Sequence, residues 1–244
     1  MKFWSGVIGV AGALLIILSA AAWAESPWYW LDKGIEYSSQ GKYRKAIRCD
    51  TKAIELAPDW AWAYYYRAID YADAGRSDDA IDDYTRAVTL DPEFRDAYYN
   101  RGIVYDEMGR YGDAVDDYTR AIDLDPAFVE AYNNRGLIRL QMDDYEGALE
   151  DVARAASLVG TDETHHLSVI LDTRANIYRE MGRYDEAMAD IERAIALEEN
   201  AASYYTRGLI YRDMGDMERT EVDFERACNG GVTEACATLE ELYK

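Results

Sequence analysis

Few side chains in this 244-residue sequence are of the types that make or break bonds. His165 and His166 are the only histidines, and Cys49, Cys228 and Cys236 the only cysteines. They show no ligand pair at the spacings that zinc sites use, so no metal is expected. The histidines have no plausible nucleophile beside them. The sequence contains no G-x-S-x-G, no H-E-x-x-H and no phosphate loop of the G-x4-G-K-[ST] type. Asp and Glu abound, but number alone is no sign of acid–base work on a solvated surface. No catalytic residue and no cofactor are expected, and the sequence reads as a non-enzyme.

What the sequence does offer is paired charge and aromatic surface. Lys and Arg number 26 against 47 Asp and Glu, a formal net charge of -21. That balance argues against a nucleic-acid binder, which must neutralise phosphates, and against a general electrostatic dock on an anionic membrane. Hydrophobic residues make up 49% of the chain, enough for a core, so wholesale disorder is excluded too. Basic residues recur in register at Lys33, Arg67, Arg101, Arg135, Arg174 and Arg207. Asp83, Asp117, Asp151, Asp190 and Asp223 recur in step, and Cys49 breaks that column. Such columns suit bidentate Arg–carboxylate pairing between packed helices. They read as a structural ladder that fixes helix register, each partly exposed pair contributing about 0.2–1 kcal/mol. A row of arginines that binds an anion is the alternative.

Columns of this kind need a repeating scaffold. Residues 79–92 return as 113–126, and 97–105 return as 131–139, in both cases 34 residues later. The frame gives six units: 27–60, 61–94, 95–128, 129–162, 168–200 and 201–234. Residues 163–167, which include both histidines, read as an inserted loop. Tyr98, Gly102 and Tyr105 share one face of a first helix, and Ala114, Tyr118 and Ala121 one face of a second. Gly109 separates the two helices and Pro126 stops the second. No such pair buries its apolar faces alone, so the units must stack.

The pattern resembles the tetratricopeptide repeat, with its signature W-x2-L-G-x2-Y, then A-x3-F, then A and P. The first unit reads Trp30, Gly34, Tyr37, Ala46, Ala53 and Pro58; the third reads Tyr98, Gly102, Tyr105, Ala114, Tyr118, Ala121 and Pro126. Gly160 and Glu199 stand where the proline would, and Thr220 where an alanine would. The resemblance implies an all-α fold, a right-handed α-solenoid of about six helix-turn-helix units plus a C-terminal capping helix. Units one to four would occupy 27–162, units five and six 168–234, and the cap 235–244.

It also implies a concave groove, lined by the first helices, that receives a protein or peptide partner. Carried over by position, that groove includes Trp28, Trp62, Tyr65, Asp96, Tyr99, Asn100, Asp106, Glu107 and Asn134. Trp28, Trp62, Tyr65 and Tyr99 would form an aromatic patch of the type that anchors partners. The plainer reading is that these rings cap the first helix or cover a loop. Asn100 and Asn134 fall where sugar-transferring members of the family grip a peptide backbone, although helix-surface polarity explains them more simply. A glycan or small ligand on the aromatic groove is the rival occupant.

The tail is similar to the SEL-like repeat, A-x3-G-x3-A-x3-L-x3-Y, with Ala227, Gly231, Ala235, Leu239 and Tyr243 in place. In exported members the two cysteines of such a segment are paired, which implies a Cys228–Cys236 disulfide; two free thiols is the alternative. Cys49 is left over as a buried small residue or a reactive thiol. At the other end Lys2 precedes a charge-free run, Phe3 to Ala24, apolar from Val7 to Leu18 and ending Ala22-Trp23-Ala24. This reads as a secretory signal over 1–24, with an uncleaved anchor as the alternative. The expectation is an exported protein, periplasmic or secreted, in a bacterial envelope complex, without stable membrane insertion once the signal is removed.

Overall fold

The computed structural model describes residues 26–160 and 162–242. The signal segment 1–24 lies outside the described residues, as do Tyr243 and Lys244. The chain is all-α, with thirteen helices and no strand among the described residues. It divides into two compact units, Met1–Asp117 and Tyr118–Lys244.

In the first unit α1 (Pro27–Ser38) pairs with α2 (Tyr43–Leu56), and α3 (Ala61–Asp73) with α4 (Ser77–Leu90). Helix α5 (Arg95–Glu107) packs on α4, and α6 (Tyr111–Leu124) begins in this unit and ends in the next. The first helices meet one another, α1 against α3 and α3 against α5. In the second unit the pairs are α7 (Val129–Gln141) with α8 (Tyr145–Leu158), α9 (Thr164–Glu180) with α10 (Tyr184–Leu197), and α11 (Ala201–Asp213) with α12 (Met217–Asn229). Helix α13 (Thr233–Leu242) closes this unit against α12. Within each unit consecutive hairpins stack, as their one-sided apolar faces require.

The repeated residues explain the repeated geometry. Ala46, Ala80, Ala114, Ala148 and Ala187 are fully buried, so the second helices approach their partners closely. The next core column holds Tyr84, Tyr118, Val152, Ile191 and Phe224, all buried, each stabilising its hairpin by roughly 1.5–3 kcal/mol. Gly208 is small for a reason: a Cβ there would lie 2.6 Å from the Phe224 ring. Most hairpins turn through a left-handed glycine such as Gly109 (φ 71°), and Asp143 takes that conformation at φ 60° in the fourth repeat. Thr220, the departure from alanine, is buried because its hydroxyl donates to the Asp216 carbonyl at 2.8 Å.

One expectation is corrected. Residues 164–167 are not a loop but the first turn of α9, a helix of 17 residues where the other first helices have 12 or 13. Leu167 packs on the core of the fifth repeat, so the extra residues lengthen a helix rather than interrupt the stack.

Two core positions carry carboxyl groups. Asp50 occupies the column of Tyr84 and Phe224, and Asp70 the column of Val104, Ile138, Ile177 and Ile210; they are 0% and 2% exposed. Asp50 sits directly over Gly34, where a Cβ would fall 2.0 Å from its Oδ1. Burial pushes Asp50 up to about 9, and the neighbouring Asp70 carboxyl adds to the shift. Burial raises Asp70 as well, while Asp50 and the Ser38 hydroxyl pull it down. Among the described residues neither Asp50 oxygen has a hydrogen-bond partner, so the buried carboxyl is held in its neutral, protonated form.

Candidate partner-binding surface

The first unit presents a hollow of about 390 Å³ lined by Trp28, Leu31, Asp32 and Ile35 of α1 with Trp62 and Tyr66 of α3. Trp28 is 59% exposed and Trp62 44%, large values for indoles in a helical stack. Both rings are nonetheless positioned. Trp28 packs edge-on to Trp60 at 4.3 Å between centroids, and Trp62 lies 4.6 Å from Phe94 and 5.8 Å from Tyr65. The hollow is thus apolar and preformed, with one carboxylate at its edge.

Tyr65 plays a different part. It is half-buried among Trp62, Phe94 and Tyr84, and its hydroxyl accepts a hydrogen bond from Asn100 Nδ2 at 2.9 Å. Burial pushes this phenol to about 12, so it stays neutral. Tyr65 supports the patch more than it offers surface, and Asn100 spends one amide hydrogen on it. A second hollow of about 240 Å³ lies nearby, lined by Ile69 and Asp73 of α3, Tyr84 of α4, and Asn100, Ile103 and Glu107 of α5, among others.

Among the remaining groove residues, Asp96 pairs with Arg95 at 2.6 Å, and Tyr99 is partly buried. The Asp106 carboxyl is raised by burial and by its neighbour Glu107. Asn134 belongs to the second unit, partly buried on α7, and is described apart from these.

From the second repeat on, the charged columns are in contact. Arg67, Arg101, Arg135, Arg174 and Arg207 each grip Asp83, Asp117, Asp151, Asp190 and Asp223 respectively through Nε and Nη2, at 2.6–2.9 Å. The pairs are more enclosed than their sequence suggests: aspartate side chains are 3–11% exposed and arginines 11–25%. The guanidinium of Arg101 also lies within 5.8 Å of the Tyr98 and Tyr105 rings. Sequence reading missed a third partner. Nη1 donates to Thr51, Thr85 and Thr119 from Arg67, Arg101 and Arg135, at 2.8–3.0 Å. The same column holds Ala153 and Glu192 before Arg174 and Arg207. A threonine two residues after Cys49, Asp83 and Asp117 was the available signal.

His165 Nδ1 lies 2.5 Å from Glu198 Oε2, and His166 lies between Glu130 and Glu163 at 3.8 and 3.7 Å. Among the described residues no three potential ligands converge on a metal site, and no helix is long and apolar enough to cross a membrane. At the C-terminal end a turn through Gly231 folds α13 back, bringing the Cys228 and Cys236 Cα atoms to 4.9 Å. Cys49 is buried.

Stacked helical hairpins with an exposed aromatic hollow define a repeat scaffold built for contact. Tetratricopeptide-repeat family models match residues 29–59, 70–109, 96–128, 128–200 and 201–229, which together make up most of the sequence. The chain belongs to the tetratricopeptide repeat family. Among solved structures it is similar to the MamA protein, at 25% identity and TM-score 0.64 over 74% of this chain and 96% of that one. It is also similar to pilF of Pseudomonas aeruginosa, at 20% identity and TM-score 0.69 over 88% and 97%. YrrB, described as having an unusual peptide-binding site, matches at 22% identity and TM-score 0.57 over 75% and 92%. No curated protein matches in sequence.

Proposed function

We propose that this protein is a non-catalytic scaffold that receives a protein or peptide partner on the first-helix face of its first unit. The observation that carries this reading is the preformed hollow between α1 and α3, with Trp28 and Trp62 exposed above an apolar floor. Partly exposed indoles fixed by neighbouring rings lose little freedom on binding, which makes them effective anchors. Asp32, Asp73 and Glu107 lie at or near the two hollows and give the partner an acidic rim to meet. A peptide-binding site in YrrB, which shares the fold, accords with this use.

Cross-linking in intact cells, followed by identification of the bound species, tests the reading. Trp62→Ala should weaken a captured polypeptide by about 2 kcal/mol or more. Tyr65 is the wrong residue to remove, because its loss also unseats Trp62. Affinity unchanged by both Trp28→Ala and Trp62→Ala would sink the site, and a sugar-dependent change in Trp emission without a captured polypeptide would favour a glycan occupant.

We place this scaffold outside the cytoplasm, in a bacterial envelope complex. The supports are the signal-like sequence 1–24 and the juxtaposition of Cys228 with Cys236, which an oxidising compartment would bridge. Mass spectrometry without reductant should find the mature chain starting at Glu25 with those two cysteines joined; quantitative alkylation of both would refute the pairing.

A further inference from the structure

The ladder lapses in the first repeat, and the lapse is concentrated on one face. In the second and third repeats three second-helix columns are acidic: Asp79 and Asp113, Asp82 and Asp116, and the ladder pair Asp83 and Asp117. Later repeats keep the ladder aspartate but vary in the other two columns, with Gly147, Glu186 and Arg219 in one and Glu150, Ala189 and Val222 in the other; the first repeat has Lys45, Arg48 and Cys49. These three line one cavity of about 380 Å³ with Lys33, Tyr29, Trp30 and Tyr37 of α1. Lys33, the ladder cation of this repeat, has no aspartate opposite it and turns to the exposed Glu36 at 2.5 Å. Among the described residues Lys45 and Arg48 make no ion pair; Lys45 sits 5.3 Å from the Tyr37 ring centre. A chain of net charge -21 thus spends unpaired cations on one small cleft.

We propose that this cleft between α1 and α2 binds a compact dianion, a phosphate or sulfate monoester, whose organic part packs on Tyr29, Trp30 and Tyr37. Two point charges and a third held only by an exposed acid suit a small doubly charged group. An extended acidic peptide would meet repulsion from the acidic second repeat, whereas a group confined to this cleft does not. The three rings supply the apolar wall such a ligand needs. Cys49 stays a neutral thiol, since burial raises it, and so leaves the positive potential intact. The cleft is separate from the Trp28–Trp62 hollow and does not depend on the partner proposed there.

Calorimetric titration of the full chain with phenyl phosphate, against phenol and inorganic phosphate, tests the idea. Binding near or below ~1 mM is expected for phenyl phosphate, about tenfold weaker for phenol, and weakened by salt. Cys49→Asp restores the acid that the other repeats carry. It should recapture Lys33, keep the helical circular dichroism, and lower affinity about tenfold. Lys45→Gln with Arg48→Gln should lower affinity about as much without touching the buried position. Sedimentation with phosphatidic acid vesicles, absent with phosphatidylcholine and lost in Cys49→Asp, would assign the monoester to a lipid headgroup. Binding of phenyl phosphate alone would assign it to a free ligand. Equal binding of phenol and phenyl phosphate, affinity unchanged by both variants, or no binding in either arm would overturn the proposal.

Discussion

Raising the pH from 5 to 8 should cost the first unit about 4 kcal/mol of stability, and an Asp50→Leu, Asp70→Val variant should lose almost none of it. The cause is the buried carboxyl pair. Asp50, pushed up to about 9, holds its proton in the folded chain, whereas in the unfolded chain it releases it near the usual 3.8. The folded state therefore binds one more proton across that window. Stability from this group is complete below the unfolded value and falls as pH rises toward the folded one, by at most about 1.4 kcal/mol per pH unit. The groups that face the pair are Ser38 of α1, Arg67 and Asp73 of α3, and Asp83 of α4. Arg67 is held by Asp83 at 2.6 Å and is not free to neutralise Asp50. Cys49, also raised, adds an effect of the same sign only above its ordinary value of 9.0. Trp28, Trp30, Trp60 and Trp62 all lie in the first two repeats, so indole emission during urea unfolding reports this unit directly. The double variant should also be the more stable at pH 8, because apolar residues fill these columns elsewhere. A flat pH profile in the natural chain would refute proton storage at this pair.

The sequence made the hairpins legible because their cause is periodic. Small residues such as Gly102 and Ala114, and terminators such as Gly109 and Pro126, recur every 34 residues, and each copy confirms the others. Features confined to one repeat were harder to see. Asp50 falls where the signature wants an aromatic residue, but in a chain with 47 acids another aspartate carries no signal until its burial is known. The role of Tyr65 was hidden for a similar reason. Position alone puts it on the groove-facing helix, and only the contact with Asn100, 35 residues away, shows that its hydroxyl is committed inward. Residues 164–167 misled in the opposite sense: they break the count of 34, yet a helix absorbs an extra turn at its free end without disturbing the packing of Ile170 and Leu171. Periodicity thus finds what repeats share, and the site lies in how they differ.

The ladder offers the sharpest energetic test. Arg101→Met alone should destabilise the chain by about 3 kcal/mol, whereas Arg101→Met with Asp117→Leu should cost less than about 1 kcal/mol. The asymmetry follows from burial. The Asp117 side chain is 7% exposed, and burial already raises its pKa against the pull of Arg101. Removing the arginine strands this carboxyl without its bidentate donor and leaves the Thr85 hydroxyl without Nη1. Removing both charges leaves only the exposed Thr85 hydroxyl without its partner, and the desolvation the charges cost is recovered by apolar packing between Tyr98 and Tyr105. Arg76–Asp79 is the control: half-exposed and within one helix, it should contribute no more than about 0.5 kcal/mol. A single-variant cost below 1 kcal/mol would reduce the ladder to surface pairing. The predicted result gives it another value. A slip of one helix against its neighbour would unpair the buried charge of that repeat, so each rung penalises a wrong register far more than it rewards the right one.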